Sequence, residues 1–170
     1  MNTSDFLRLI AGGILALVCS YIGILIKRGY SENTKLYKDL VDFCDAFKRE
    51  LTFQKSALID FCNKFCDGRK GDIVDLIQEY IKDLQSAGQF VRDAEKWTVA
   101  HLKKEEKQEI IDFLSGLGKS PTVEQLSLVD KSCQLFQSRQ KIALDNEKKK
   151  GNMFFKLLVL LGIALMVILV

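Results

Sequence analysis

Apolar residues crowd the two ends of the chain and recur at helical spacing between them. From Leu9 to Ile26 the sequence runs for eighteen residues without a charge. As a helix, residues 6–26 would be about 31 Å long, enough to cross a bilayer. Arg8 lies where a long side chain can snorkel to the headgroups, and Lys27 and Arg28 close the far end. At the other terminus Leu157 to Val170 is a run of fourteen apolar residues, short for a span by itself. With Met153, Phe154 and Phe155 added and Lys156 snorkelling, residues 153–170 supply eighteen. Lys148, Lys149 and Lys150 ahead of Phe154 and Phe155 are the basic and aromatic border expected of such a segment. The pattern predicts transmembrane helices over 6–26 and 153–170.

Between them, residues 31–150 read as a polar helical domain. Leu36, Leu40, Cys44, Phe47 and Leu51 fall on one helix face, and that helix can continue from the membrane segment. Ser56 is the expected N-cap of a second helix presenting Leu58, Ile59, Cys62 and Phe65. Gly68 and Gly71 mark a turn, Asp72 caps a helix carrying Ile73, Leu76, Ile77, Tyr80, Ile81 and Leu84, and Gly88 is placed to end it. Phe90, Ala94, Trp97 and Leu102 follow, then Ile110, Ile111, Leu114 and Leu117, with Gly116 and Gly118 as the stop. Pro121 opens a last helix lined by Leu126, Val129, Cys133 and Phe136, which Gly151 and Asn152 separate from the second apolar segment. Clean two-residue alternation occurs nowhere. The prediction is an all-α fold, an antiparallel bundle of about four to six helices between the two spans.

Composition and charge add sidedness. The 170 residues include 25 Lys plus Arg against 22 Asp plus Glu, a net charge of +3 that is too nearly balanced to imply a nucleic-acid partner. Residues 27–46 contain four basic side chains and residues 133–152 contain five, whereas the opposite side offers only Arg8 and the terminal amine. The positive-inside rule then predicts a cytoplasmic middle with both termini on the far side. A cleaved signal peptide is the alternative for the first segment, but the run is too long, lacks a small-x-small exit and meets Lys27 and Arg28 at once. Val18 before Cys19 is a poor context for lipidation. Cys44, Cys62, Cys66 and Cys133 are expected as free thiols in a reducing compartment.

Candidate chemistry is sparse. Gly118, Lys119 and Ser120 resemble the end of a phosphate-binding loop, but Phe113 stands where its first glycine belongs and a helix precedes it. Cys62 and Cys66 could share a helix face, yet zinc would need two more ligands, and the single histidine, His101, is remote in sequence and reads as a surface residue. Glu105, Glu106, Glu109 and Asp112 interleave with Lys103, Lys104 and Lys107 as solvated pairs. No catalytic group, metal or cofactor is expected. Gly12, Ala16 and Ser20 form a strip of small residues along the first span, against which Gly162 of the second can pack.

Over residues 7–170 the order of features resembles the stage III sporulation protein AB family. The carriers are the N-terminal span ending in Lys27-Arg28, Glu50-Leu51, Ser56-Ala57-Leu58, Ala94 with Trp97, then Phe113, Leu117, Gly118 and Gln125, and the closing apolar segment. Leu114, Pro121 and Ala57 depart from the family pattern, which usually has glycine, aspartate and proline there. The resemblance implies a fold like the inner-membrane F component of type II secretion systems. It also implies a place in the channel-like assembly between mother cell and forespore, with a cytoplasmic secretion-type ATPase, stage III sporulation protein AA, and other membrane components as partners. Glu50, Gly118 and Gln125 are then the expected partner-binding positions. Against this platform stand two other readings: a passive scaffold or recruiter, and a small membrane-bound catalyst.

Overall fold

The computed structural model describes residues 3–54, 57–86, 102–119 and 121–169. Its α-helices are α1 (Thr3–Arg49), α2 (Leu58–Cys66), α3 (Asp72–Ser86), α4 (Lys104–Gly116), α5 (Thr122–Asn146) and α6 (Asn152–Leu169). Two π-helical turns, Glu50–Gln54 and Glu147–Gly151, follow α1 and α5. No strand occurs among the described residues, in keeping with the all-α expectation. Ser56, Gly88, Phe90, Ala94, Trp97 and His101 lie outside the described residues.

The chain divides into two compact units, one of Met1–Thr34 with Ile142–Val170 and one of Lys35–Lys141. In the first, α1 and α6 run antiparallel. A Cβ built on Gly12 would lie 3.3 Å from the Met166 Cα, one on Gly162 3.1 Å from the Ala16 Cα, and one on Gly23 3.4 Å from the Phe155 Cα. Backbones this close need residues without bulk at the crossing, which is why glycine and alanine occupy it. The remaining faces are apolar and uncovered, with Leu17 72%, Leu160 63% and Val167 71% exposed. Both helices are long and apolar enough to cross a membrane. Gly151 does not interrupt the second of them as the sequence suggested: the backbone stays helical from Thr122 to Leu169. Gly151 is buried, and a Cβ there would meet the Tyr30 ring at 3.5 Å.

The second unit is built around phenylalanine. Phe43, fully buried on α1, lies 5.4 Å from Phe61 and 5.0 Å from Phe65 on α2 and 6.1 Å from Phe113 on α4, between ring centroids. Phe113 meets Phe136 of α5 edge-on at 5.4 Å. Tilted and edge-to-face contacts of this kind favour aromatic rings beyond the area they bury. α1 and α5 are antiparallel, with Lys48 bonded to Asp130 and Cys133 beside Asp45. So are α4 and α5, where Phe113 faces Phe136 and Glu109 faces Arg139. Gly68 at φ +68° and Gly71 at φ +139° turn the chain between α2 and α3, conformations that a side chain would oppose.

Candidate functional site

Apart from tyrosines and cysteines, the side chains of polar residues buried among the described residues are those of Glu50, 8% exposed, and Gln125, 7% exposed. Their positions follow from helix geometry. On α1 the inward residues Leu36, Leu40, Phe43 and Phe47 step by four, three and four, and three more residues bring Glu50 to the same face. The stripe of apolar residues in the sequence predicts Leu51 there, but Leu51 is only half-buried. From Glu50 onward the turn is π-helical, wider than an α turn, and Phe53 ends 81% exposed. Gln125 lies in the first turn of α5, where its N–H donates to the Pro121 carbonyl at 3.0 Å. The register that sets Lys48 against Asp130 brings the end of α1 and the start of α5 to one end of the helix pair.

Gly118 sits at another corner. α4 closes at Leu117 in an extended conformation, and Gly118 follows with φ +76°, the left-handed region that glycine accepts. The Tyr80 hydroxyl donates to the preceding Leu117 carbonyl at 3.3 Å, tying α3 to this corner. A groove of about 450 Å³ opens here, lined by Leu58, Tyr80, Leu84, Gly118 and Lys119. A second groove, of about 370 Å³, lies beside the π turn and includes Glu50, Arg49 and Arg69. Glu50 and Gly118 thus line different grooves, and Gln125 lines neither.

The ionisable groups are arranged for structure. Arg139 bonds both carboxylate oxygens of Glu109, at 3.1 and 2.6 Å, and reaches Glu106 at 3.7 Å. That paired hydrogen bond holds the guanidinium above its usual range. Burial pushes the Cys62 thiol up to about 12 and raises Cys44 further, so neither is a ready nucleophile. The Tyr37 hydroxyl is buried with no hydrogen-bond partner among the described residues, and desolvation raises its pKa as well. Among the described residues no cluster of His, Cys, Asp and Glu is grouped to hold a metal ion.

In the apolar pair, Gly162 packs onto Ala16 and Cys19, and Gly12 onto Met166. Ser20 instead donates to the Ala16 carbonyl of its own helix at 2.8 Å. Sequence reasoning missed Cys19 and Gly23 as contact positions. A step of four residues turns about 400° round a helix, so a strict four-residue strip drifts off its face. The spacing of four, three and four from Gly12 through Ala16 and Cys19 to Gly23 stays on it. Phe155 packs on Gly23, and the Lys27 ammonium lies 5.8 Å from its ring centroid.

A family model for stage III sporulation protein AB matches residues 8–170, which takes in both apolar helices and the whole helical unit between them. The chain belongs to that family. Membership assigns it a role in sporulation. Neither the curated proteins nor the solved structures gave a match.

Proposed function

We propose that this family member is a non-enzymatic membrane component of the secretion-like complex between mother cell and forespore. Its helical unit, on the cytoplasmic face of the mother-cell membrane around the forespore, acts as a platform or recruiter for a secretion-type ATPase. The observation that carries this reading is the extent of the family match, which spans a pair of membrane-grade helices and the polar helices that they flank. Basic residues flanking the apolar helices support the cytoplasmic placement. The lowered reactivity expected of Cys44 and Cys62 gives no support to a nucleophilic enzyme.

The test is affinity capture of the detergent-solubilised full-length protein from sporulating cells, beside a variant with Gly12, Ala16 and Ser20 all changed to leucine. Recovery of a secretion-type ATPase with both forms, and of membrane partners with the native form only, is the expected result. Recovery of neither class would end the platform reading. A passive recruiter would keep function when Ala16→Leu breaks the contact between the apolar helices, whereas a platform that transmits force would not.

A further inference from the structure

The groove beside the π turn carries an excess of positive charge: three cations, Arg49, Lys64 and Arg69, line it with one carboxylate, Glu50, and Arg69 also feels the Asp39 carboxylate. Arg49, Lys64 and Arg69 are all exposed at its rim, and among the described residues none of them is in a salt bridge. The Arg69 guanidinium lies 4.2 Å from the Phe65 ring centroid, which holds its planar face in place. Phe61 and Phe65 line the groove with rings that are otherwise packed into the core, 5% and 6% exposed. Phe53, also in the lining, stands in solvent.

Each part has a cost unless something binds there. An exposed phenylalanine gains nothing from water, and the π turn that directs it outward is a rare helix form, mostly of single turns and frequent at functional sites. Three cations against one carboxylate in a concave surface leave net repulsion that a further anion would relieve. Aromatic and arginine side chains in a pocket are the residues that dominate protein interfaces.

We propose that this groove receives an acidic segment of a partner polypeptide. Carboxylates of that segment pair with Arg49, Lys64 and Arg69, and an apolar side chain of the same segment packs between Phe53 and Phe65. The proposal deepens the platform reading and rests on it for the existence of a protein partner. A lipid surface is the poorer fit: the site is concave, so a planar bilayer cannot fill it.

The experiment places p-benzoylphenylalanine at Phe53 in the full-length protein within membranes of sporulating cells, with Leu84, at the other groove, as a control position. Irradiation should join position 53 to a polypeptide, and mass spectrometry should find the attached peptide rich in Asp and Glu. The double variant Arg49→Glu, Arg69→Glu should lower the yield about tenfold, while Arg49→Lys, Arg69→Lys keeps most of it and both retain the native thermal midpoint. A cross-link to lipid alone, an attached peptide that is neutral or basic, or a yield indifferent to charge reversal would overturn the proposal. A polypeptide cross-link from position 84 with none from position 53 would remove the acidic site and leave the platform standing. Silence at both positions, together with an empty affinity capture, would remove both.

Discussion

The two units solve the same problem, holding helices together, with opposite residues. In the unit of Lys35–Lys141 the contacts are the largest side chains available, with the Phe43 ring touching Phe47, Phe61, Phe65 and Phe113. In the unit that joins the two ends, the contacts are Gly12, Ala16, Gly23 and Gly162. The difference follows from the solvent each unit is built for. Burying a phenylalanine removes a large apolar area from water, and the gain grows with the area. In lipid the surroundings are as apolar as the side chain, so burial gains little and helices associate through close backbone approach and dispersion contacts. Size is therefore an asset in one unit and an obstacle in the other.

The largest effect should come from truncating the aromatic centre. Phe43→Ala leaves a cavity that four surrounding rings and several helices cannot collapse to fill, and should cost about 3–5 kcal/mol. Denaturant or thermal unfolding in detergent reads this directly. Leu17→Ala, at a position 72% exposed on an apolar helix, should leave the transition almost unmoved. Equal losses from the two substitutions would break the contrast.

The reverse substitution probes the other unit. A Cβ at position 162 would lie 3.1 Å from the Ala16 Cα and 3.3 Å from its carbonyl oxygen, backbone atoms that cannot rotate away. Gly162→Leu should therefore push α6 off α1, at a cost of about 1–3 kcal/mol. Gly13, with nothing among the described residues within 4 Å of its Cβ position, should accept leucine freely. Oxidative cross-linking gives the readout: Gly162→Cys places a thiol beside Cys19, whose Cβ is 3.2 Å from the built atom, and should form a disulfide that Gly13→Cys does not. Tolerance of leucine at 162 would mean that the apolar helices are not held by close approach.

Alkaline pH should act on the aromatic unit. Burial, with a smaller contribution from the neighbouring Cys66, moves the Cys62 thiol from 9.0 to about 12, and Cys44, Tyr37 and Tyr80 are raised by desolvation too. The folded state holds these protons more tightly than the unfolded chain, so raising the pH from about 9 toward 12 favours unfolding. Below that window the thiols are protonated in both states and stability is level with respect to them. Chemical unfolding at pH 8 and at pH 10.5 should show the loss, and Cys44→Ala with Cys62→Ala should reduce it. A stability independent of pH across this range would contradict the buried placement of these groups.

How much of this was legible in the sequence depends on which physics was at work. The apolar helices are visible as charge-free runs, and the small size of Gly162 marks it as a contact position. The glycine corners at Gly68, Gly71 and Gly118 were visible because glycine is the residue that accepts a positive φ. Phe43, Tyr37 and Phe61 were missed as core residues, because an inward face about 100° wide admits more positions than one four-residue stripe samples. The groove at the π turn was illegible for a different reason. Glu50 was named only through the family resemblance, and nothing local announces that the helix widens there and brings Arg49 and Phe53 beside Lys64 and Arg69 on other segments.

Ion pairs give the smallest expected effects, and they too separate by environment. Arg139 and Glu109 meet in paired geometry with only 28% of each side chain exposed, where solvent screens them partly. Glu109→Gln should cost about 1 kcal/mol, since it removes the charge while leaving one acceptor for the guanidinium. Lys48 and Asp130 also meet closely, at 2.6 Å, but their side chains are 46% and 44% exposed. The hydrogen bond to Asp130 raises the Lys48 pKa, yet an exposed pair spends most of its attraction on ordering two side chains. Lys48→Ala should leave the unfolding midpoint unchanged and insensitive to added salt. If Lys48→Ala proved as costly as Glu109→Gln, the pairing of α1 with α5 would depend on charge rather than on Val129 and Phe136 buried on α5, and the aromatic unit would rest less on burial than its packing implies.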